Sequence, residues 1–134
     1  MLIDGGNVED SSLLYTYLKN NNISHLDYVI GTHAHEDHIG GLAGALNYAT
    51  VDVAYCPATS YDSKAFGNFV KTLDKHGVSI TVPTTGDSFN LGSATCSIPR
   101  LFQAVFLLCS SRSSHCFLVY EGRSRAYMSS GENL

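Results

Sequence analysis

The chain has no C-x-x-C pair, no basic excess, no long apolar run and no linker-like tract, and each lack removes a class of protein. Its four cysteines, Cys56, Cys96, Cys109 and Cys116, lie too far apart for a C-x-x-C zinc or redox motif. At 134 residues the chain is not small enough to need disulfide staples, so reduced and mostly buried thiols in a cytosolic protein are expected. The 8 basic residues against 12 acidic ones leave no basic footprint of the kind that dominates phosphate-backbone affinity. Stable nucleic-acid binding is therefore not expected, though a nucleic acid could still be a substrate. The longest apolar run, Ala104 to Cys109, falls far short of the roughly 20 residues of a membrane span. No signal-peptide pattern opens the chain, and a cytoplasmic location is expected. It begins almost at once with "LIDGG", which reads as the end of a strand whose beginning is absent. With 44% hydrophobic residues, no repeats and no boundary tract, the expectation is one domain over residues 1–134 with a real core.

What is present begins with an alternation of strands and helices. "MLID" with "GG" reads as strand and turn, and "EDSSLLYTYLKNNN" as a helix capped by Asp10 or Ser11, with Leu13, Leu14, Tyr17 and Leu18 on one face. "HLDYVIGT" is a short β-rich run. "HIGGLAGALNYA" has helical spacing at Ile39, Leu42, Ala43 and Leu46, weakened by three glycines. "VDVAYC" and "VSITV" read as strands flanking an amphipathic helix from Asp62 to His76, with Phe66, Phe69, Val70 and Leu73 in step and Gly77 as its end. From "GDSFNLG" onward only strands are expected: Ala94 to Ile98, Leu101 to Cys109, Cys116 to Tyr120 and Arg125 to Met128. The pattern predicts an α/β domain, helices packed against sheets of mixed direction.

The chemistry is concentrated in "GTHAHEDHIGG", residues 31–41, which holds three of the six histidines. His33 and His35 follow directly on a buried strand, so a tight loop can turn both imidazoles toward one point beyond the strand's carboxyl end. Asp37 and His38 add a hard oxygen and a further nitrogen at the mouth of the next helix. Imidazole with carboxylate suits zinc or another first-row divalent ion. The bland alternative is a solvated, histidine-rich turn, against which stand the strand-to-helix position and the close-approach glycines Gly40 and Gly41.

His33, His35, Asp37 and His38 match the H-x-H-x-D-H signature of the metallo-β-lactamase fold superfamily, and "LIDGG" before and "IGGL" after are also its habits. "THAHEDHIGGL" most resembles the hydrolase domains related to DNA-uptake competence proteins. The resemblance implies an αββα sandwich, here partial, with helices on the outer faces and one or two zinc or other divalent ions between the sheets. It implies a hydrolase in which a metal-bound hydroxide attacks a phosphodiester, thioester or amide. Position by position, it gives the first metal to His33 and His35 and the second to Asp37 and His38. Asp4 takes the place of the acid that supports a ligand histidine, which is physically sound because a ligand imidazole needs an acceptor on its other nitrogen. An Asx turn ahead of Gly5 and Gly6 would account for Asp4 equally.

Further ligands implied by the resemblance are His115, the only histidine in a suitable downstream strand, and Glu132, beside Gly131 where an acid bridging two metals is expected. No histidine follows Glu132, so the family's last ligand is missing. His76 at a helix end and His25 before a strand read as structural. "CSIPRLFQAVFLLCSSRSS", Cys96 to Ser114, departs from the family pattern, through divergence or through a truncated or frame-altered gene. Half a sandwich would leave strand edges uncovered, which predicts a homodimer or larger homo-oligomer. Three functions follow: a metal-dependent hydrolase acting on a small molecule or phosphodiester with Asp37 orienting water or acting as base, a metal-binding remnant without turnover, or an interaction module assembling through an exposed sheet edge.

Overall fold

The computed structural model describes residues 1–98 and, beyond them, the backbone of three strands. It forms two compact units, Met1–Val82 and Pro83–Leu134. In the first, β1 (Leu2–Ile3), β2 (His25–Ile30), β3 (Thr50–Tyr55) and β4 (Ile80–Thr81) make a sheet in that order, every neighbouring pair parallel. Ile3 lies opposite Ile30, Ile30 opposite Tyr55, and Tyr55 opposite Thr81. One row therefore ends all four strands, and the segments that leave β1, β2 and β3 emerge side by side.

Parallel neighbours need crossovers, and these are helical. A 3-10 turn (Val8–Asp10) leads into α1 (Ser11–Asn20) between β1 and β2. The short α2 (Glu36–Ile39) and α3 (Leu42–Leu46) follow β2, and α4 (Lys64–Lys75) follows β3. The core is built from β2, β3 and the inner faces of these helices, with Phe69, Ile39, Leu42, Leu46, Leu73 and Val29 its largest fully buried side chains. Each such side chain contributes about 1.5–3 kcal/mol on burial.

The expected helix over "HIGGLAGALNYA" is two helices, broken at Gly40 and Gly41. A Cβ at Gly41 would run into the backbone of Gly5, so the chain turns where it must pass β1's exit. The face expected for α1 is also corrected: Leu18 is buried, but Leu13 and Tyr17 are 65% and 59% exposed. Only one edge of this helix meets the core. The α4 expectation holds well. Ser63 accepts a hydrogen bond from the Phe66 N–H (3.1 Å), Ala65, Phe66, Phe69, Thr72 and Leu73 are buried, and Gly77 takes the left-handed conformation (φ +71°) that closes the helix. His76 caps it structurally, as expected, donating from Nε2 to the Leu46 carbonyl (2.8 Å).

The second unit is an antiparallel meander of β5 (Ser88–Leu91), β6 (Ala94–Ser97), β7 (Leu107–Ser111), β8 (Ser114–Leu118) and β9 (Tyr127–Ser130), in chain order. Parallel and antiparallel pairing are thus segregated by sheet within one mixed α/β architecture. β8 begins two residues earlier than expected because Ser114 already pairs with Ser111. Much of the strand expected from Leu101, and the start of that expected at Arg125, lie outside the described residues. Of the cysteines, Cys56 is a buried free thiol, but Cys96 is disulfide-bonded, which overturns the expectation of uniformly reduced thiols. No helix among the described residues is long and apolar enough to cross a membrane.

Candidate metal centre

The strand row that ends at Ile3, Ile30 and Tyr55 delivers Asp4, Gly31–Thr32 and Cys56 to one edge of the sheet. From there residues 31–35 form the loop that carries His33 and His35, and α2 carries Asp37 and His38. Two backbone bonds draw the neighbouring exits together: Asp4 N–H donates to the Ile30 carbonyl (2.8 Å) and Gly31 N–H to the Tyr55 carbonyl (2.8 Å).

The three imidazoles cluster. The ring of His33 lies 4.5 Å from that of His35 and 3.8 Å from that of His38, centroid to centroid. Ligand atoms of His33, His35 and Asp37 all fall within 4.8 Å of one another. Asp37 also turns toward the fourth residue, its Oδ2 standing 3.6 Å from His38 Nε2. Two ligands on one tetrahedral zinc, with bonds of roughly 2.1 Å, stand about 3.4 Å apart. Asp37 is thus placed to face both the His33–His35 pair and His38.

Asp4 orients His38 from behind. Its Oδ2 accepts from His38 Nδ1 (2.8 Å) and from the Thr32 hydroxyl (2.6 Å), while its Oδ1 accepts from the Thr32 N–H (2.8 Å). The carboxylate fixes the proton on Nδ1 and leaves Nε2 as the nitrogen that looks into the cluster. Asp4 reaches this position from a left-handed backbone (φ +54°), a conformation that Asp and Asn tolerate better than other side chains. Its carboxylate bonds go to Thr32 and His38, as the supporting-acid account expects, rather than to the Gly6 N–H that an Asx turn would use.

Burial, followed by the neighbouring His38 and His35, holds the His33 pKa below its ordinary 6.5, against the opposing pull of Asp4 and Asp37. The neutral ring is the form that binds metal. Behind the loop, burial pushes the Cys56 thiol up, so it packs as a small apolar group.

Thr32 is a residue that pattern reading passed over. It is 4% exposed, and its hydroxyl and amide both serve Asp4. The signal was its place, a hydroxyl residue between the buried strand and the first histidine. Another candidate group, His25, Asp27 and Asp52, lies at the amino ends of β2 and β3 and is wholly exposed. There His25 is engaged by Asp52 (3.1 Å) and Thr50 (3.0 Å), a surface arrangement in keeping with its structural reading. His115 stands in β8, opposite Ser110 and Ser129, with its side chain outside the described residues. Glu132 also lies outside them.

A family model of the metallo-beta-lactamase superfamily matches residues 1–127. The chain belongs to the metallo-beta-lactamase superfamily. No curated protein matches it. Members of this superfamily typically hold zinc or another divalent ion, and the donor set here fits one: two imidazoles and a carboxylate converge, and a third imidazole has its outer nitrogen anchored to a carboxylate. His33, His35, Asp37 and His38 would hold the ion or ions, with Asp4 and Thr32 as their support.

Proposed function

We propose that this chain is a metal-dependent hydrolase whose metal is zinc, held by His33, His35, Asp37 and His38, and whose substrates are phosphodiesters. The observation that carries the reading is the convergence of three imidazoles and one carboxylate beyond the strands' carboxyl ends, with His38 oriented by Asp4. A divalent ion supplies Lewis-acid chemistry there: it acidifies water and polarises the group under attack. The protein's part is positional. Burial and the neighbouring histidines favour the neutral form of His33, and His38 presents Nε2 because Asp4 holds Nδ1. Asp37, whose side chain is 64% exposed, has two carboxylate oxygens, one for the ion and one to orient a water molecule. The phosphodiester class rests on the likeness of "THAHEDHIGGL" to the competence-related hydrolases. His115 and Glu132 belong to this proposal as further ligands on the same ground.

The test is zinc content together with hydrolysis of bis(p-nitrophenyl) phosphate, compared between the wild type and His35→Ala. Zinc and rate should both fall in the variant. Equal zinc and equal rate would remove the site assignment, whereas zinc binding without turnover would leave a metal-binding protein that is not a hydrolase. Homo-oligomerisation is part of the same proposal, and a monomer mass in sedimentation would dismiss it.

A further inference from the structure

The segment between β3 and α4, residues 56–63, leaves the sheet beside the histidine loop because β3 neighbours β2 and both run the same way. It brings Tyr61 to the cluster. The Tyr61 ring stands 5.6 Å from that of His35, inclined at 52°, and 6.3 Å from that of Phe66, edge to face. Phe66 is 2% exposed and meets the fully buried Phe69 at 6.4 Å, so the tyrosine is backed by the core. Its backbone is fixed as well: the Tyr61 carbonyl accepts from the Ser63 N–H (2.9 Å), and Ser63 caps α4.

Despite that anchoring, Tyr61 remains 45% exposed, and its hydroxyl has no protein partner among the described residues. A large ring that packs against Phe66 and His35 and is still 45% exposed offers apolar surface beside a ligand cluster. Sites of this kind combine a few polar or metal contacts with aromatic walls that take the adjoining part of the substrate. We propose that Tyr61 is the substrate-binding wall of the metal centre, and that it selects substrates carrying a planar aromatic group, an aryl ring or a base, next to the bond to be cleaved. The inference rests on the hydrolase reading above and narrows its substrate class.

Non-hydrolysable ligands test it without depending on turnover. Phenylphosphonate and methylphosphonate present the same anionic head to zinc and differ only in the ring. Calorimetric titration of the zinc-loaded wild type should show phenylphosphonate binding roughly 2- to 10-fold more tightly, the range that aromatic pairs contribute. Tyr61→Phe should keep this preference. Tyr61→Ala should lose it while binding methylphosphonate as the wild type does, which also shows that the variant is folded. A preference that survives Tyr61→Ala, or is absent from the wild type, overturns the proposal. Zinc content and bis(p-nitrophenyl) phosphate hydrolysis on the same samples separate the two ideas. A Tyr61-dependent preference without hydrolysis keeps the wall and removes the hydrolase. Hydrolysis without a preference does the reverse, and a protein that binds neither zinc nor phosphonate loses both.

Discussion

Replacing Asp4 by Asn separates the role of its charge and acceptors from that of its backbone. Asn tolerates the left-handed conformation at φ +54° at least as well as Asp, so the turn itself is preserved. The hydrogen bonds cannot be. Asp4 accepts three of them, from the Thr32 N–H, the Thr32 hydroxyl and His38 Nδ1. An amide has one acceptor oxygen. If that oxygen faces Thr32 N–H, the amide NH2 confronts His38 Nδ1, and the imidazole must move its proton to Nε2, the nitrogen meant for metal. If the oxygen faces His38, the NH2 confronts the Thr32 N–H, and a donor beside a 4%-exposed residue is left unpaired at a cost of about 1–3 kcal/mol. Either arrangement weakens the site without touching a ligand. Loss of a group that orients a ligand histidine typically weakens metal binding by roughly 10- to 100-fold, about 1.4–2.8 kcal/mol. Competition against a chromophoric zinc chelator would measure the affinity, and nitrogen NMR of the histidine rings would read the tautomer. Zinc affinity within twofold of the wild type, with His38 still protonated on Nδ1, would refute the reasoning.

Three further outcomes are expected. Because the folded pKa of His33 lies below the ordinary 6.5, the unfolded chain binds more protons between the two values. His33 therefore subtracts nothing above about pH 6.5, and chelator-treated protein should lose thermal stability as the pH falls below that. Equal pH dependence in His33→Asn would show that another group is responsible. Gly41→Ala should destabilise the fold by about 1–3 kcal/mol, since its methyl group would press on the Gly5 backbone and push the Asp4 turn away from His38; a urea midpoint equal to the wild type's would contradict this. Cys56, fully buried and with its pKa raised, should resist iodoacetamide in the folded protein and react only after unfolding, with mass spectrometry reporting which state is labelled.

The parts of the molecule that could be read from sequence are those where one local rule acts alone. α4 was legible because a cap, a regular apolar face and a closing glycine all agree over Ser63–Gly77. The cluster of His33, His35, Asp37 and His38 was legible because its members are contiguous and follow a buried strand, so no long-range geometry is needed to bring them together. α1 was misjudged because spacing shows which residues share a face and not how much of that face finds a neighbour; Leu13 and Tyr17 are in step with Leu18 and still face water. The break at Gly40–Gly41 depends on Gly5, some 35 positions earlier, and no local pattern contains it. Thr32 and Tyr61 were missed for the same reason, since the one matters through Asp4 and the other through the parallel pairing of β2 with β3.

The geometry also bears on whether the cluster is a relic of a site or a site. The rings of His38 and His35 stand 3.8 and 4.5 Å from that of His33, centroid to centroid, and both oppose its protonation. At the other end of the sheet a lone histidine, His25, is paired with Asp52 on the surface. Here the half-buried Asp4 is committed to His38 Nδ1 and is itself held by two bonds from Thr32. Asp37 stays exposed, facing His38 Nε2 at 3.6 Å. The arrangement gathers ligand atoms of His33, His35 and Asp37 within 4.8 Å of one another, while Asp4 holds His38 from behind. A cation is the occupant that imidazole and carboxylate donors gathered at one point suit, which favours a working metal site over a vestigial motif.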